Sequence, residues 1–180
     1  IQTIRDSGVL IQRTLPIQGT FQTQLNPKRE ESRPKISSPE DIYKYVKSMQ
    51  DYDREFAKVL YLDTKNQVTG IEVVSVGSLN AAIVHPREVF KGAMLNNAAS
   101  IVFVHNHPSG NPEPSREDVE LSKKLKETGT IVGINVLDSL VVGKERYYSM
   151  KEDPPQGQKI FDPHSKGKSI LEELLDDPDW

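Results

Sequence analysis

Cysteine is absent from this chain of 180 residues. That excludes disulfide staples and any metal site built on thiolates. Long apolar runs are missing as well: no stretch approaches the roughly 18 residues that a membrane helix needs. No basic-then-apolar leader is read at its start. These absences fit a reducing compartment, and a cytoplasmic location is the default expectation. Hydrophobic residues make up only 36% of the chain and prolines number 12. The composition therefore supports one domain with a core, flanked by segments that contribute little to it.

Charge is unevenly placed around a net of -3. Residues 1–35 hold six basic side chains (Arg5, Arg13, Lys28, Arg29, Arg33, Lys35) against three acidic ones, and residues 151–180 hold eight acidic against four basic. The basic front could contact phosphates, but Phe21 is its single aromatic and it has no dense basic run. Nucleic-acid contact through this arm is one reading; a solvated arm, or one exchanged between copies of the chain, is the other. Exchange of the arm or the tail would make a homo-oligomer.

Three units follow from this pass: an extended arm over 1–35, a folded domain over 36–150, and a polar, acidic tail over 151–180. Ser169–Leu175 in the tail has the pattern of a short amphipathic helix. Within the domain, Ser38-Pro39-Glu40-Asp41 starts a helix, with a capping serine, proline in the first turn and acids at the positive end of the dipole. Ile42, Tyr45, Val46 and Met49 form its apolar stripe. Phe56–Leu62 and Val68–Val76 are rich in β-branched and aromatic residues and read as a hairpin closed by residues 63–67. His85-Pro86 opens a second helix with Val89, Phe90, Ala93 and Met94 inward. A strand over Ile101–Val104 follows, then a helix from Ser115 to Gly129. Ile131–Leu137, Leu140–Val142 and Tyr147–Met150 read as strands. The order α β β α β α β β β predicts an α/β fold, a mixed sheet sandwiched by helices.

The chemistry concentrates in His105-Asn106-His107-Pro108-Ser109-Gly110, which follows the buried strand pattern. Two histidines at i, i+2 on extended chain project to one side and can converge. Asp118 lies at the start of the next helix. Two His and one carboxylate, with a fourth position left for water, make the ligand set of a catalytic zinc; structural sites usually close all four positions with protein atoms. The plain alternative is a pair of loop histidines fixed by hydrogen bonds. Ser115 and Asp118 likewise fit a capping box, and one turn can serve both as cap and as ligand. Ser115 could also donate to a developing oxyanion. A hydrolytic zinc lowers the pKa of its water to roughly 7 and needs a carboxylate to take the proton. Glu113 and Glu117 lie nearby; Glu55 and Glu88 lie upstream, and spacing alone does not choose between them. His85 reads as a helix-start residue, Asn106 as a residue that satisfies loop backbone, and His164 carries no assignment.

The pattern His-x-His-x7-Ser-x2-Asp, with a glutamate upstream, resembles the JAMM (MPN-plus) zinc metalloprotease motif. His85-Pro86-Arg87-Glu88-Val89-Phe90-Lys91, the run 105–110 and Pro114-Ser115-Arg116-Glu117-Asp118 are similar to the RadC family in particular. The likeness covers about residues 36–150. It implies a curved sheet between helices, like that of cytidine deaminases. It further implies one Zn2+ held by His105, His107 and Asp118, with Glu55 activating water and Ser115 assisting the oxyanion. The chain departs from that family in two places: the first 35 residues show no helix-hairpin-helix pattern, and Asp138-Ser139 stands where the family commonly has Asp-His.

Two function classes follow. The first is a zinc hydrolase cleaving a peptide or isopeptide bond in an unidentified protein substrate. The second is a metal-dependent nuclease, or a protein associated with DNA repair, acting on nucleic acid. Against the second, the domain is nearly neutral and lacks a basic stripe, and nucleases more often use two metals or hard oxygen ligands. A scaffold with a structural zinc is the non-enzymatic alternative.

Overall fold

The computed structural model describes residues 33–77, 84–157 and 160–161. Most of the arm expected over 1–35 and of the tail over 151–180 lies outside these, as do the helix pattern at 169–175 and His164. Among the described residues no helix is long and apolar enough to cross a membrane.

Helix α1 (Pro39–Val46) begins as its sequence dictates. Ser38 accepts from the backbone of Asp41, and the Asp41 carboxylate accepts from the backbone of Ser38. The chain tightens into a 3-10 turn over Lys47–Asp51, and Ile42, Val46 and Met49 form the buried line. Tyr45, expected inside, is 40% exposed; the buried stripe is narrower than the four-residue pattern and leaves it on the flank.

Strands β1 (Phe56–Leu62) and β2 (Val68–Val76) form the predicted antiparallel hairpin. Asp63 closes it by accepting from the backbone of Lys65 and Gln67. Helix α2 (Pro86–Leu95) buries Val89, Phe90, Gly92 and Ala93. Met94, expected inside, is 53% exposed. At Gly92 the helix comes down onto Tyr61 and Glu72, where an added Cβ would collide with both. That close approach turns Met94 away from the core.

Strand β3 (Ser100–Asn106) is buried along its whole length. Helix α3 (Arg116–Val132) crosses over to strand β4 (Asn135–Val142), which runs parallel to β3, and strand β5 (Tyr147–Ser149) pairs antiparallel at the far edge. The sheet order is β2-β1-β3-β4-β5. One face packs under α2 and α3 around Tyr61, Phe90, Phe103 and Leu125. The other packs under α1 around Leu60, Val102, Val104 and Leu140. Covering on both faces explains why β3 reads as a continuous apolar run, with each fully buried aliphatic contributing about 1.5–3 kcal/mol.

Two boundaries differ from the sequence expectation. Gly129 does not end α3. It lies inside the helix, where an added Cβ would sit 2.5 Å from the Ile134 carbonyl oxygen, and the left-handed cap falls on Gly133 (φ 73°). Residues 131–132 thus belong to the helix, and the two strands expected over 131–142 are one strand, β4, running through Asp138-Ser139.

That passage is possible because both polar residues find partners from distant parts of the chain. Asp138 is 2% exposed. It accepts from Ser149 Oγ at 2.6 Å, from the Ser139 amide at 2.7 Å and from the Lys151 amide at 3.1 Å. Burial outweighs these bonds and raises its pKa to about 6. Because the folded-state value lies above the unfolded one, the folded protein holds the extra proton, and stability falls as pH rises from about 4 to about 6. We expect a loss of about 3 kcal/mol across that window. Denaturant titrations between pH 4 and 7 should show it in the wild type and not in Asp138→Asn, the difference isolating this carboxyl from the others.

Candidate metal centre

The site sits where the parallel β3–α3–β4 unit changes direction, at the end of β3 and the first turn of α3. Alternation along β3 puts Phe103 and His105 on the α2/α3 face, and His107 follows one step beyond the strand. The capping box at the start of α3 turns Asp118 inward: Ser115 Oγ accepts from the Asp118 amide at 3.2 Å, and Asp118 Oδ2 accepts from the Ser115 amide at 2.7 Å. The turn that caps the helix also presents the carboxylate, as the sequence allowed.

The three side chains converge. His105 Nε2 lies 3.2 Å from His107 Nε2 and 3.1 Å from Asp118 Oδ1, and His107 Nε2 lies 3.4 Å from Asp118 Oδ2. One donor atom from each falls within 4.8 Å of the others, the single such group among the described residues. His105 and Asp118 are buried, whereas the His107 side chain is 16% exposed and opens the cluster to solvent.

Ring orientation can be deduced from partners. His107 Nδ1 lies 2.8 Å from the Asn111 carbonyl oxygen. A carbonyl only accepts, so Nδ1 carries a proton and Nε2 faces the cluster, donating to Asp118 when protonated and offering a lone pair when not. His105 Nδ1 is buried with no hydrogen-bond partner among the described residues, so that ring's polar interactions also run through Nε2. Two imidazole Nε2 atoms and a carboxylate facing one point suit a single borderline cation such as zinc.

Electrostatics agree. Burial works to raise the pKa of Asp118, but bonds from His105, His107 and Ser115 outweigh it and hold the carboxyl far below its usual range. Burial works to lower that of His107, yet Asp118, the Asn111 carbonyl and the charge of Glu55 raise it above the ordinary imidazole value. The cluster draws positive charge to Nε2, whether as a proton or as a metal ion.

Of the four glutamates considered, Glu55 is the one whose charge acts on His107. It sits half-buried just before β1, two residues ahead of Ala57, which pairs with His105. Glu88 is held at the exposed start of α2 by Lys91 at 2.6 Å. Glu113 and Glu117 are exposed, and His85 is the exposed N-cap of α2. Ser115 is exposed, and its hydroxyl donates to Asp118 Oδ2 at 2.7 Å. The structure thus gathers His105, His107, Asp118, Ser115 and Glu55 in one region.

Two contributors were not anticipated. The Asn111 carbonyl orients His107, and no side-chain pattern advertises a backbone group. Ser122 and Ser139 share a hydrogen bond at 2.8 Å, and Ser122 Oγ also donates to the Asp118 carbonyl at 2.8 Å. This pins the first turn of α3 to β4.

Comparison with known proteins shows the family. Residues 36–156 match the RadC-like JAB domain family, and the chain belongs to that family. A UPF0758 protein of Methanosarcina mazei is 53% identical over 125 residues, 69% of this chain and 55% of the relative. One of Geobacillus sp. (strain WCH70) is 53% identical over 118 residues, 65% of this chain and 52% of the relative. The chain therefore spans about half the length of the curated relatives it matches.

The loop that holds the Asn111 carbonyl packs against Gly143, where an added Cβ would meet the Gly110 carbonyl oxygen at 2.5 Å and Pro112 at 2.8 Å. Gly143→Ala must displace residues 110–112 and with them the partner of His107. We expect metal affinity to fall on the order of 10-fold, as for loss of other groups that orient a ligand, with the fold kept. Competition against a chromophoric chelator measures it.

Proposed function

We propose that this chain is a zinc-dependent hydrolase of amide bonds, in a peptide or an isopeptide. The observation that carries the reading is the convergence of His105, His107 and Asp118 on one point, with His107 open to solvent. These three would hold the ion. When bound, zinc would supply Lewis acidity, polarising a substrate carbonyl and lowering the pKa of a nearby water toward about 7.

The remaining work falls to the chain's own groups. Glu55, whose charge acts on His107, takes a proton from the attacking water as the water oxygen bonds to the carbonyl carbon. It returns that proton to the leaving nitrogen as the C–N bond breaks. Asp118, held anionic by its neighbours, supplies the negative charge that retains a cation between two neutral imidazoles. The Asn111 carbonyl keeps the His107 proton on Nδ1 and its lone pair on the cluster. Ser115 stands exposed at the rim, where its hydroxyl assists the oxyanion by turning from Asp118 toward substrate. An amide is favoured over a phosphodiester because the described residues offer one three-donor group, whereas nucleases more often pair two metals.

Elemental analysis of the purified chain should find close to one zinc per molecule in the wild type and in Glu55→Gln, and none in His107→Ala. Peptide hydrolysis should fall at least about 100-fold in Glu55→Gln, the scale of a lost general base. A folded wild type that stays metal-free after zinc is supplied would overturn the hydrolase reading.

A further inference from the structure

We propose that Asn106 is the positioning residue for Glu55: its side-chain amide clamps the backbone on both sides of that acid and ties it to the strand that carries the histidines. The inference rests on the hydrolase reading, since it concerns the residue given the base's part there.

The ladder between β1 and β3 shows why a clamp is needed. Antiparallel pairing runs from Leu62↔Ser100 to Ala57↔His105 and ends there. Beyond that point Glu55 has left the strand, and backbone pairing no longer sets its distance from His105 and His107. The Asn106 side chain takes over. Its Oδ1 accepts from the Phe56 amide at 2.8 Å, and its Nδ2 donates to the Arg54 carbonyl at 3.1 Å. Phe56 N–H can only donate and Arg54 C=O can only accept, so these partners settle which end of the amide is which. The amide stands in for the next peptide unit of β3 and carries the sheet past its last backbone pair. From the other side, the Gly77 amide donates to the Glu55 carbonyl at 2.9 Å. Main-chain groups at 54, 55 and 56 are all held.

The side-chain requirement is narrow. Asparagine alone among short side chains presents one acceptor and a donor pair in one plane. Aspartate of the same size keeps the acceptor and loses the donor. Asn106 is 1% exposed, so these bonds have little competition from water. Lying between His105 and His107 with its side chain on the opposite face, it does not touch the cluster, and its effect on chemistry runs through Glu55.

Cobalt serves as the probe, because its visible absorption reports ionisation at a bound metal site. The full chain is loaded with Co2+ as wild type, Glu55→Gln, Asn106→Ala and the double variant, and the pH midpoint of the absorption change is read for each. All four are expected to take up one equivalent of cobalt. Glu55→Gln displaces the midpoint, Asn106→Ala displaces it in the same direction, and the double variant moves no further than Glu55→Gln alone, as groups acting through one another require. If Asn106→Ala fails to fold, Asn106→Asp keeps the volume and runs the same cycle. A wild-type midpoint in Asn106→Ala beside a displaced one in Glu55→Gln overturns the inference and leaves the base assignment standing. Fully additive shifts, or cobalt lost from the Asn106 variant, overturn it as well, by placing the effect on the ligands. An unmoved midpoint in Glu55→Gln removes the base assignment and the inference with it.

Discussion

A carboxylate kept anionic while almost wholly buried is the constraint around which this domain is arranged. An isolated buried carboxylate would protonate rather than remain charged. Asp118 avoids that by drawing on two imidazoles, a serine hydroxyl and a backbone amide. Each of those partners needs its own support. The imidazoles come from the end of the most buried strand, the hydroxyl and amide from the cap of α3, and the turn beneath is pinned to β4 by Ser122 and Ser139. The sheet, the crossover helix and the loop through Asn111 can be understood as the means of holding one negative charge in a low-dielectric place.

Much of this was legible in the residues. The strand runs, the capping serines and the i, i+2 histidines follow from local chemistry, because their signals lie within a few positions of one another. The donor set itself lies in one stretch, residues 105–118, which is why a spacing pattern could find it. What escaped depended on distant partners. Asp138-Ser139 looked like a break in a strand because the bonds that satisfy it come from Ser149, Lys151 and Ser122. Gly129 looked like a helix stop because glycine usually marks one, whereas here it lets Ile134 and Val136 approach the helix closely. Met94 fitted the periodic pattern and was turned outward by a contact at Gly92 that no window of sequence displays.

Glu55 illustrates the same divide within the site. Spacing left it level with Glu88; family likeness ranked it first; in the structure its charge is felt at His107 while Glu88 pairs with Lys91. Asn106, read from sequence as serving loop backbone, does serve backbone, but that of a strand 50 residues away. The donor atoms are local and the acid is remote, so the site joins a compact chain segment to one long-range tether.

The double use of Asp118 has a thermodynamic corollary. The carboxylate given to the ion in the proposed function is also the group that closes the first turn of α3. Whatever free energy a bound cation adds to the folded state, RT ln(1 + [L]/Kd) for a ligand that ignores the unfolded chain, is delivered at a helix terminus, the place where helices ordinarily fray first. Ion occupancy and fraying of that turn are therefore linked functions: a loaded chain should open there more rarely than an empty one, and a chain whose first turn opens should release its ion more readily.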